Sequence, residues 1–520
     1  MLAGIFTRVL QINTVGSEDN YFELGGDSLS ALEVIFTAEK AGLHITLEAL
    51  RSGTIRTLAA QTAAIKESKP GVIFAQQNDG IPLTPSQHWL LDRNFENPAS
   101  YAFSAWLRSD QSINMEVLSQ AWQAVVDHHD ALRIHFDKNG DRIRQIVEAA
   151  GTSTQLEFKD LRQLSQLRLT EEIDASAQTL VTNAELFNTP LPRLLCLHVP
   201  DNRDLLFIFI PHIITDEYSA RIIIDDLATV YGAIQRGNAV QLPVATTSFS
   251  QWASQLQNFA RNSEVRYQVD ALCRLPWQQY QQLPRDIAHG SNTYAQASDL
   301  RLVLSEADTE QLLQLGCLTQ IPVASVFAGA LAQVVGLWAG TEYVLMDMTT
   351  AGRDLLFESG PLHHSVGYFS TIHPVLLKST TEWPNIEAIR QVDVCLRSAA
   401  GRGALYGLMR YLNPEAAMRQ RLGSLPTAEI KFNYPGLQPL CQDGGPFHPA
   451  GISAPNALKP TDIRQYLLNL EIMYYQKQFV TAWKYPAGIY RKETIEELAQ
   501  GYLDNLRGCT ATSLVLMNPL

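Results

Sequence analysis

The run Leu205-Leu-Phe-Ile-Phe-Ile210 restricts the folds open to this chain more than any other stretch. An unbroken apolar run of strand length, with no polar alternation, fits a strand covered on both faces. The run breaks at Pro211-His-Ile-Ile-Thr-Asp-Glu217, and a helix follows with Ile222, Ile223, Leu227, Val230, Tyr231 and Ile234 on one side. Buried strand, sharp turn, then amphipathic helix is how layered α/β proteins present a reactive side chain at a strand end. His212 sits at that turn, and Glu217 follows Asp216 at the helix entry.

The second half repeats the alternation. A small-residue helix, Ala324–Leu337, leads into a strand over Tyr343–Met348, then Gly352-Arg353, then the apolar stretch from Val366 to Leu377. Lys431 to Gly436 reads as a strand ending in a turn, and Glu493–Leu506 as a closing amphipathic helix. The polar, aromatic segment from Trp277 to Tyr294 reads as the crossover between two lobes. Upstream, helical spacing over Asn114–Asp127 leads to His128-His129-Asp130 and a short strand, Ile134–Phe136. With no further ligands at metal spacing, the paired histidines read as a helix end, where imidazolium complements the dipole. His363 and His364 fall in a loop and carry no assigned role.

At 520 residues and 46% hydrophobic content the chain holds more than one domain. A net charge of −13 argues against nucleic acid and against an anionic membrane surface as partners. The most apolar long stretch, Val326 to Gly340, carries Gln333 and is too short to span a bilayer. Cys196, Cys273, Cys317, Cys395, Cys441 and Cys509 are scattered, with no CxxC pair. That suits a reducing cytosol and gives no zinc site. The N-terminus has no basic-then-apolar leader and reads as a cut within a longer polypeptide.

The N-terminal stretch Tyr21-Phe-Glu-Leu-Gly-Gly-Asp-Ser-Leu-Ser30 has a different character. Two glycines allow a sharp turn and close approach of another molecule. Asp27 and Ser28 then open a helix with Leu29, Leu32 and Ile35 on its apolar face. Ser28 is thereby placed at a helix N-terminus, where free N–H groups favour a phosphate. Helical segments flank it at Leu2–Leu10 and Leu47–Lys66, and residues 67–80 lose periodicity and read as a linker.

The block Asp19-Asn-Tyr-Phe-Glu-Leu-Gly-Gly-Asp-Ser-Leu29 resembles the peptidyl carrier domain of nonribosomal peptide synthetases, over residues 1–66. The resemblance implies a small four-helix domain whose serine, Ser28, carries a covalent 4′-phosphopantetheine arm. Residues 81–510 resemble the condensation-domain superfamily, and within it the epimerization domain. Leu83-Thr-Pro-Ser-Gln-His-Trp89 is similar to LTPIQHW. Ser365-Val-Gly-Tyr-Phe-Ser-Thr-Ile-His-Pro-Val-Leu376 is similar to TVGWFTSxYPVL, and Phe432-Asn-Tyr-Pro-Gly436 to FNYLG. Tyr406-Gly407 loosely resembles the end of GxGYG. The implied fold is two chloramphenicol-acetyltransferase-like lobes, 81–255 and 256–510, with a tunnel between them. Asn433 and Tyr434 are then fold elements or tunnel lining. Adjacent synthetase domains (adenylation upstream, condensation downstream) and a phosphopantetheinyl transferase are the implied partners.

Epimerization removes and returns the α-proton of a tethered aminoacyl thioester. It needs an acceptor on one face of the carbon and a donor on the other. The family supplies these from HHxxxDG and EGHGRE. Here the first motif falls on Pro211-His212-Ile-Ile-Thr-Asp216-Glu217, which keeps the second histidine and loses the first histidine and the glycine. The second falls on Thr349-Thr350-Ala351-Gly352-Arg353-Asp354, so the glutamate position is Thr349. A threonine hydroxyl does not exchange protons at neutral pH as a carboxylate does. Asp354, Glu358 or Glu217 would substitute only if the backbone moved. Asp216 is expected to be structural, paired with Arg353, because a buried carboxylate needs such a partner.

Three functions follow. The first is a non-catalytic platform that holds the carrier and recruits a trans-acting tailoring enzyme such as an amino-acid hydroxylase, as interface and X domains of this superfamily do. The second is an active epimerase with His212 as its base. The third and weakest is peptide-bond condensation.

Overall fold

The computed structural model describes residues 1–62 and 80–517, apart from positions 11, 13, 25, 27, 44, 141, 153, 188–189, 201–202, 244–246, 354–361, 363, 381, 438–439 and 442–444. The linker expected at 67–80 lies outside the described residues except for Gly80, as do Asp27, Asp354, Glu358 and His363.

The N-terminal unit packs helices Leu2–Leu10, Ser28–Lys40, Leu47–Ser52 and Ile55–Thr62 around a small core of Leu2, Ile5, Phe6, Val9, Val34, Ile35, Leu50 and Leu58. The helical segment from Leu47 is divided at Gly53, whose N–H closes on Ala49 O at 2.8 Å. Tyr21 is fully buried, edge-on to Phe6 at 5.0 Å. A Cβ on Gly26 would lie 2.2 Å from the Tyr21 ring, so the second glycine of the turn is needed for close packing.

Among the described residues the remainder forms two mixed sheets, each covered by helices, and a two-stranded antiparallel ribbon, Ile134–Asn139 with Arg142–Val147. The first has the strand order His448–Pro449, Ala102–Arg108, Leu205–Pro211, Arg193–His198, Gln155–Asp160. Leu205–Pro211 is buried at every position, as its unbroken apolar run requires. The second sheet runs Ala297–Val303, Gln478–Pro486, Leu468–Tyr475, Ile430–Asn433, Tyr343–Thr350, Thr371–Lys378. His448–Pro449 is a difference from the two-lobe division: it lies within 256–510 yet pairs with Ala102–Arg108 in the first sheet. The chain therefore crosses back and straps the lobes together.

On the second sheet, alternation separates two faces. Met346, Ile430, Phe432, Leu468 and Leu470 enter the apolar core under helix Val323–Ala339. Asp347, Thr349, Lys431, Asn433, Asn469 and Glu471 occupy the alternate positions and form a polar inner face. Among the described residues no single helix is long and apolar enough to cross a membrane. The one bent pair that passes on length and composition, Glu306–Thr319 with Val323–Ala339, is part of the second core.

The paired histidines end the helix Met115–His128, as expected, with His129 at its C-cap. The His129 side chain is buried, its Nε2 2.8 Å from Asp226 Oδ2. His128 Nε2 meets Pro243 O at 2.9 Å. Burial, and then the His129 charge, lower its pKa, which opposes the imidazolium expected there.

Candidate functional site

His212 follows the last residue of the buried strand, and its N–H donates to Tyr101 O at 2.8 Å. The next residues form a single 3₁₀ turn, His212–Ile214. Gln87 holds that turn: its Nε2 donates to Ile213 O at 2.8 Å, while its Oε1 accepts from Thr84 N in a capping box. The Leu83–Trp89 stretch thus fixes the histidine loop from behind. The imidazole is nearly buried, with Nδ1 3.2 Å from Thr215 O. The Tyr101 and Tyr368 rings stand 4.9 and 5.9 Å away.

Glu217 opens the helix Glu217–Gln235, and its carboxylate Oε1 lies 3.9 Å from His212 Nε2. This sets Glu217 on the side of His212 and not at the position of Thr349. Side chains in a first helical turn lean back toward the N-terminus, which here carries Glu217 over the histidine. Both groups belong to the same lobe.

Asp216 and Arg353 form a hub between the lobes, each with a fully buried side chain. Asp216 caps the helix by accepting from Ser219 N at 2.7 Å. Its other oxygen accepts from Phe369 N and Ser370 N at 3.0 and 2.9 Å. Arg353 Nη2 donates to Asp216 Oδ1 at 3.2 Å and Ser219 Oγ at 2.7 Å, and its Nη1 to Leu362 O and Ser365 O at 2.6 and 2.7 Å. The guanidinium is sandwiched between Tyr218 and Phe369, at 4.5 and 4.3 Å. Gly352 permits this: at φ +63 its missing Cβ would stand 1.8 Å from Phe369 O. The Val366–Ser370 motif is therefore a clamp on the hub.

On the inner face of the second sheet, Thr349 Oγ1 is buried and has no hydrogen-bond partner among the described residues. Asp347, two residues earlier, accepts from Tyr466 OH at 2.8 Å, and burial pushes its pKa up to about 6. Lys431 sits in register with Asp347 on the neighbouring strand and donates to Tyr101 OH at 3.4 Å. Burial works against its charge, but Tyr101, Glu217 and Glu471 more than offset that and raise its pKa. Asn433 shares this face, while Tyr434 packs edge-on to Phe327 at 5.2 Å.

The N-terminal unit rests across the seam between the lobes. Glu33, on the helix that Ser28 opens, accepts from Arg221 of the first lobe at 3.0 Å in a largely buried ion pair. Leu24 and Ser30 line one small pocket with Leu313, Tyr434 and Leu437 of the second lobe. Ser28 is the first residue of a thirteen-residue helix. A helix N-terminus following a glycine turn fits a phosphodiester, so 4′-phosphopantetheine suits this position. Among the described residues no cluster of ligating side chains would hold a metal ion.

Sequence reasoning missed Lys431, Tyr101, Asp347, Arg464 and the Glu33–Arg221 pair. Lys431 had a visible signal: a charge flanked by Ile430 and Phe432 in the strand Ile430–Asn433.

The family profile "Condensation domain" matches residues 77–515, and "Phosphopantetheine attachment site" matches residues 2–61. Over 98% of its length the chain is 29% identical to chondramide synthase cmdD of Chondromyces crocatus. Over 97% it is 27% identical to tyrocidine synthase 1 of Brevibacillus parabrevis. It spans only 13% and 47% of those proteins. Among solved structures, the epimerization domain from the third module of tyrocidine synthetase B superposes with a TM-score of 0.77 at 25% identity, covering 85% of this chain and 99% of that one. The X-domain from teicoplanin biosynthesis shares the fold, with a TM-score of 0.65 at 16% identity over 85% of this chain and 97% of that one. The chain therefore belongs to the condensation-domain family of nonribosomal peptide synthetases, joined to an N-terminal phosphopantetheine-carrying domain.

Proposed function

We propose that the carrier presents an amino acid, tethered through Ser28, to a condensation-fold domain that no longer inverts its α-carbon. That domain serves as a docking platform for a tailoring enzyme acting in trans, such as an amino-acid hydroxylase. The arm supplies a thiol that holds the amino acid as a thioester. Adjacent synthetase domains load and unload it, and a phosphopantetheinyl transferase installs it.

The observation that carries this reading is Thr349, an unpartnered hydroxyl where inversion requires an acid. Inversion needs proton carriers on opposite faces of the α-carbon. His212 and Glu217 both stand on the first lobe. Asp347 is set about 6.6 Å along the strand from Thr349 and is engaged by Tyr466. Lys431 stays an ammonium and is a poor acid at neutral pH. Pro211 removes the first motif histidine as well.

The test loads the intact chain with an α-deuterated aminoacyl arm and follows both solvent exchange and chirality. Absence of inversion, in the chain as it stands and in His212→Ala alike, is the expected result. Rapid inversion that vanishes in His212→Ala overturns the proposal. Capture of a tailoring enzyme encoded near the synthetase, dependent on the loaded arm, tests recruitment directly. The alternative, an active epimerase with His212 as base, is favoured by one observation: the Glu217 carboxylate 3.9 Å from the imidazole.

A further inference from the structure

The geometry points to an anion-binding site between the lobes, built from Lys431 and Arg464, that takes the side-chain carboxylate of an acidic amino acid carried on the arm. This rests on the reading above that the tunnel receives the loaded arm.

Arg464 is only 7% exposed, yet its guanidinium donates to no described residue, and Nη1 is fully shielded without a partner. Its backbone is pinned: the N–H donates to Asn292 O at 2.8 Å, and its carbonyl accepts from Asn292 Nδ2 at 2.8 Å. The nearby carboxylate of Asp462 is already used, accepting from Glu96 N and Lys459 N at 2.9 and 3.0 Å. Lys431 has three N–H donors but a single long hydrogen bond, to Tyr101. Of the acids beside it, Glu217 also faces His212, 3.9 Å from its Nε2, and the other two are engaged elsewhere. Glu471 is held by Lys484 at 2.7 Å and Asn469 at 3.1 Å, and Asp347 by Tyr466.

The two cations converge on one aromatic wall. Phe95 stacks on Tyr101 at 5.8 Å and meets the edge of Tyr294 at 6.3 Å. Arg464 stands next to Tyr294 across the antiparallel bridge Thr293–Ile463, where Tyr294 N donates to Asp462 O at 3.0 Å, and the charges of Arg464 and Lys431 both oppose the burial that lifts the Tyr294 hydroxyl to about 12. Two buried cations short of acceptors are costly unless an anion joins them. A planar carboxylate matches the guanidinium fork.

Register fixes the depth of this site. Strand Ile430–Asn433 runs toward the carrier, because Tyr434 shares the pocket at the seam with Leu24 and Ser30. Lys431 lies about 10 Å further in, three strand residues back. Strand Leu468–Tyr475 runs parallel with Leu468 beside Ile430, and Arg464 lies four residues before it, in the bent segment that leads into the strand. What reaches that depth is the cargo beyond the thiol, not the phosphate at Ser28. A tethered amino acid has spent its own carboxyl on the thioester, which leaves the side chain as the source of a carboxylate.

The experiment titrates the full-length chain with the amides of aminopantetheine with aspartate, glutamate and asparagine, and with inorganic phosphate. An acidic ligand is expected to bind about tenfold more tightly than the asparaginyl one, a charged hydrogen bond's worth. Lys431→Met and Arg464→Met should each erase that preference and change asparaginyl binding less than about twofold. Equal binding of acidic and asparaginyl ligands overturns the anion site and leaves the tunnel reading standing. Binding of none overturns both. Phosphate competing as well as the aspartyl ligand overturns the side-chain assignment. If Arg464→Met loses every ligand, Arg464→Gln decides, and a preference retained there refutes the proposal.

Discussion

Arg353→Met is the sharpest test of the hub. The change removes a buried guanidinium and leaves Asp216 ionised, with both side chains fully shielded from water. Breaking a buried pair from one side costs about 3–5 kcal/mol. Three backbone N–H groups still serve Asp216, which puts the pair's own cost at the low end of that range. The carbonyls of Leu362 and Ser365 also lose their donor, at about 1–3 kcal/mol each where water does not replace it. Such terms overlap, and about 5 kcal/mol in total is expected. That rivals the whole stability of many domains. The assay is urea unfolding followed by tryptophan fluorescence, since Trp252 lies 6.2 Å from Phe369 in the clamp. Asp216→Asn combined with Arg353→Met removes the stranded charge and keeps an acceptor oxygen for Phe369 N and Ser370 N, while its amide faces Ser219 N, and should recover about 1 kcal/mol. A loss below about 1 kcal/mol in the single variant, or a double variant no milder than the single, refutes the structural assignment of Asp216.

Other expectations are simpler to test. Thr349→Glu places a carboxyl where the hydroxyl now lacks a partner, and chiral analysis should show inversion rising by about 10²-fold if the missing acid is the defect. His373 is buried and held down to about 4 against an ordinary 6.5. The unfolded chain therefore takes up a proton first as pH falls below 6.5, and stability is lost between pH 6.5 and 4, by about 3 kcal/mol. His373→Leu should flatten that slope in urea midpoints measured at both ends. Reversing either charge of the Glu33–Arg221 pair should release the carrier from the seam, and reversing both should restore docking, read by energy transfer between labels on the two units.

Legibility followed the range of the interactions. Leu205–Ile210 was readable because burial on both faces removes alternation within one short segment. Asp216 with Arg353 was readable because each sits in a motif of fixed spacing, although 137 positions separate them. His129 was legible as a helix end, but its pairing with Asp226 was not, because the two are 97 positions apart and no local pattern announces the contact. The two-residue strand His448–Pro449 carries too little sequence to show a period, yet it ties the lobes. Lys431 and Tyr101 are 330 positions apart. Their meeting depends on two sheets facing each other, which periodicity within either cannot encode.

The loss at Thr349 and the presence of Lys431 are best understood together. Both lie on the inner face of one sheet, on adjacent strands. A carboxylate at position 349 would neutralise part of that face and leave the ammonium a fixed partner. With threonine there, the positive charge lacks an acceptor on its own sheet, since Glu471 belongs to Lys484 and Asp347 to Tyr466. On the opposite lobe, His212 and Glu217 stand together on one side, so a proton exchanged between them and a bound α-carbon would return to the face it left. The proposed arrangement would hold and orient an acidic cargo through Lys431, and would exchange its α-proton with retention. Inversion demands a second carrier across the α-carbon. Stereochemistry of exchange, rather than its rate, therefore separates a binding tunnel from an epimerase: exchange with retention fits the arrangement of His212, Glu217, Thr349 and Lys431, and exchange with inversion contradicts it.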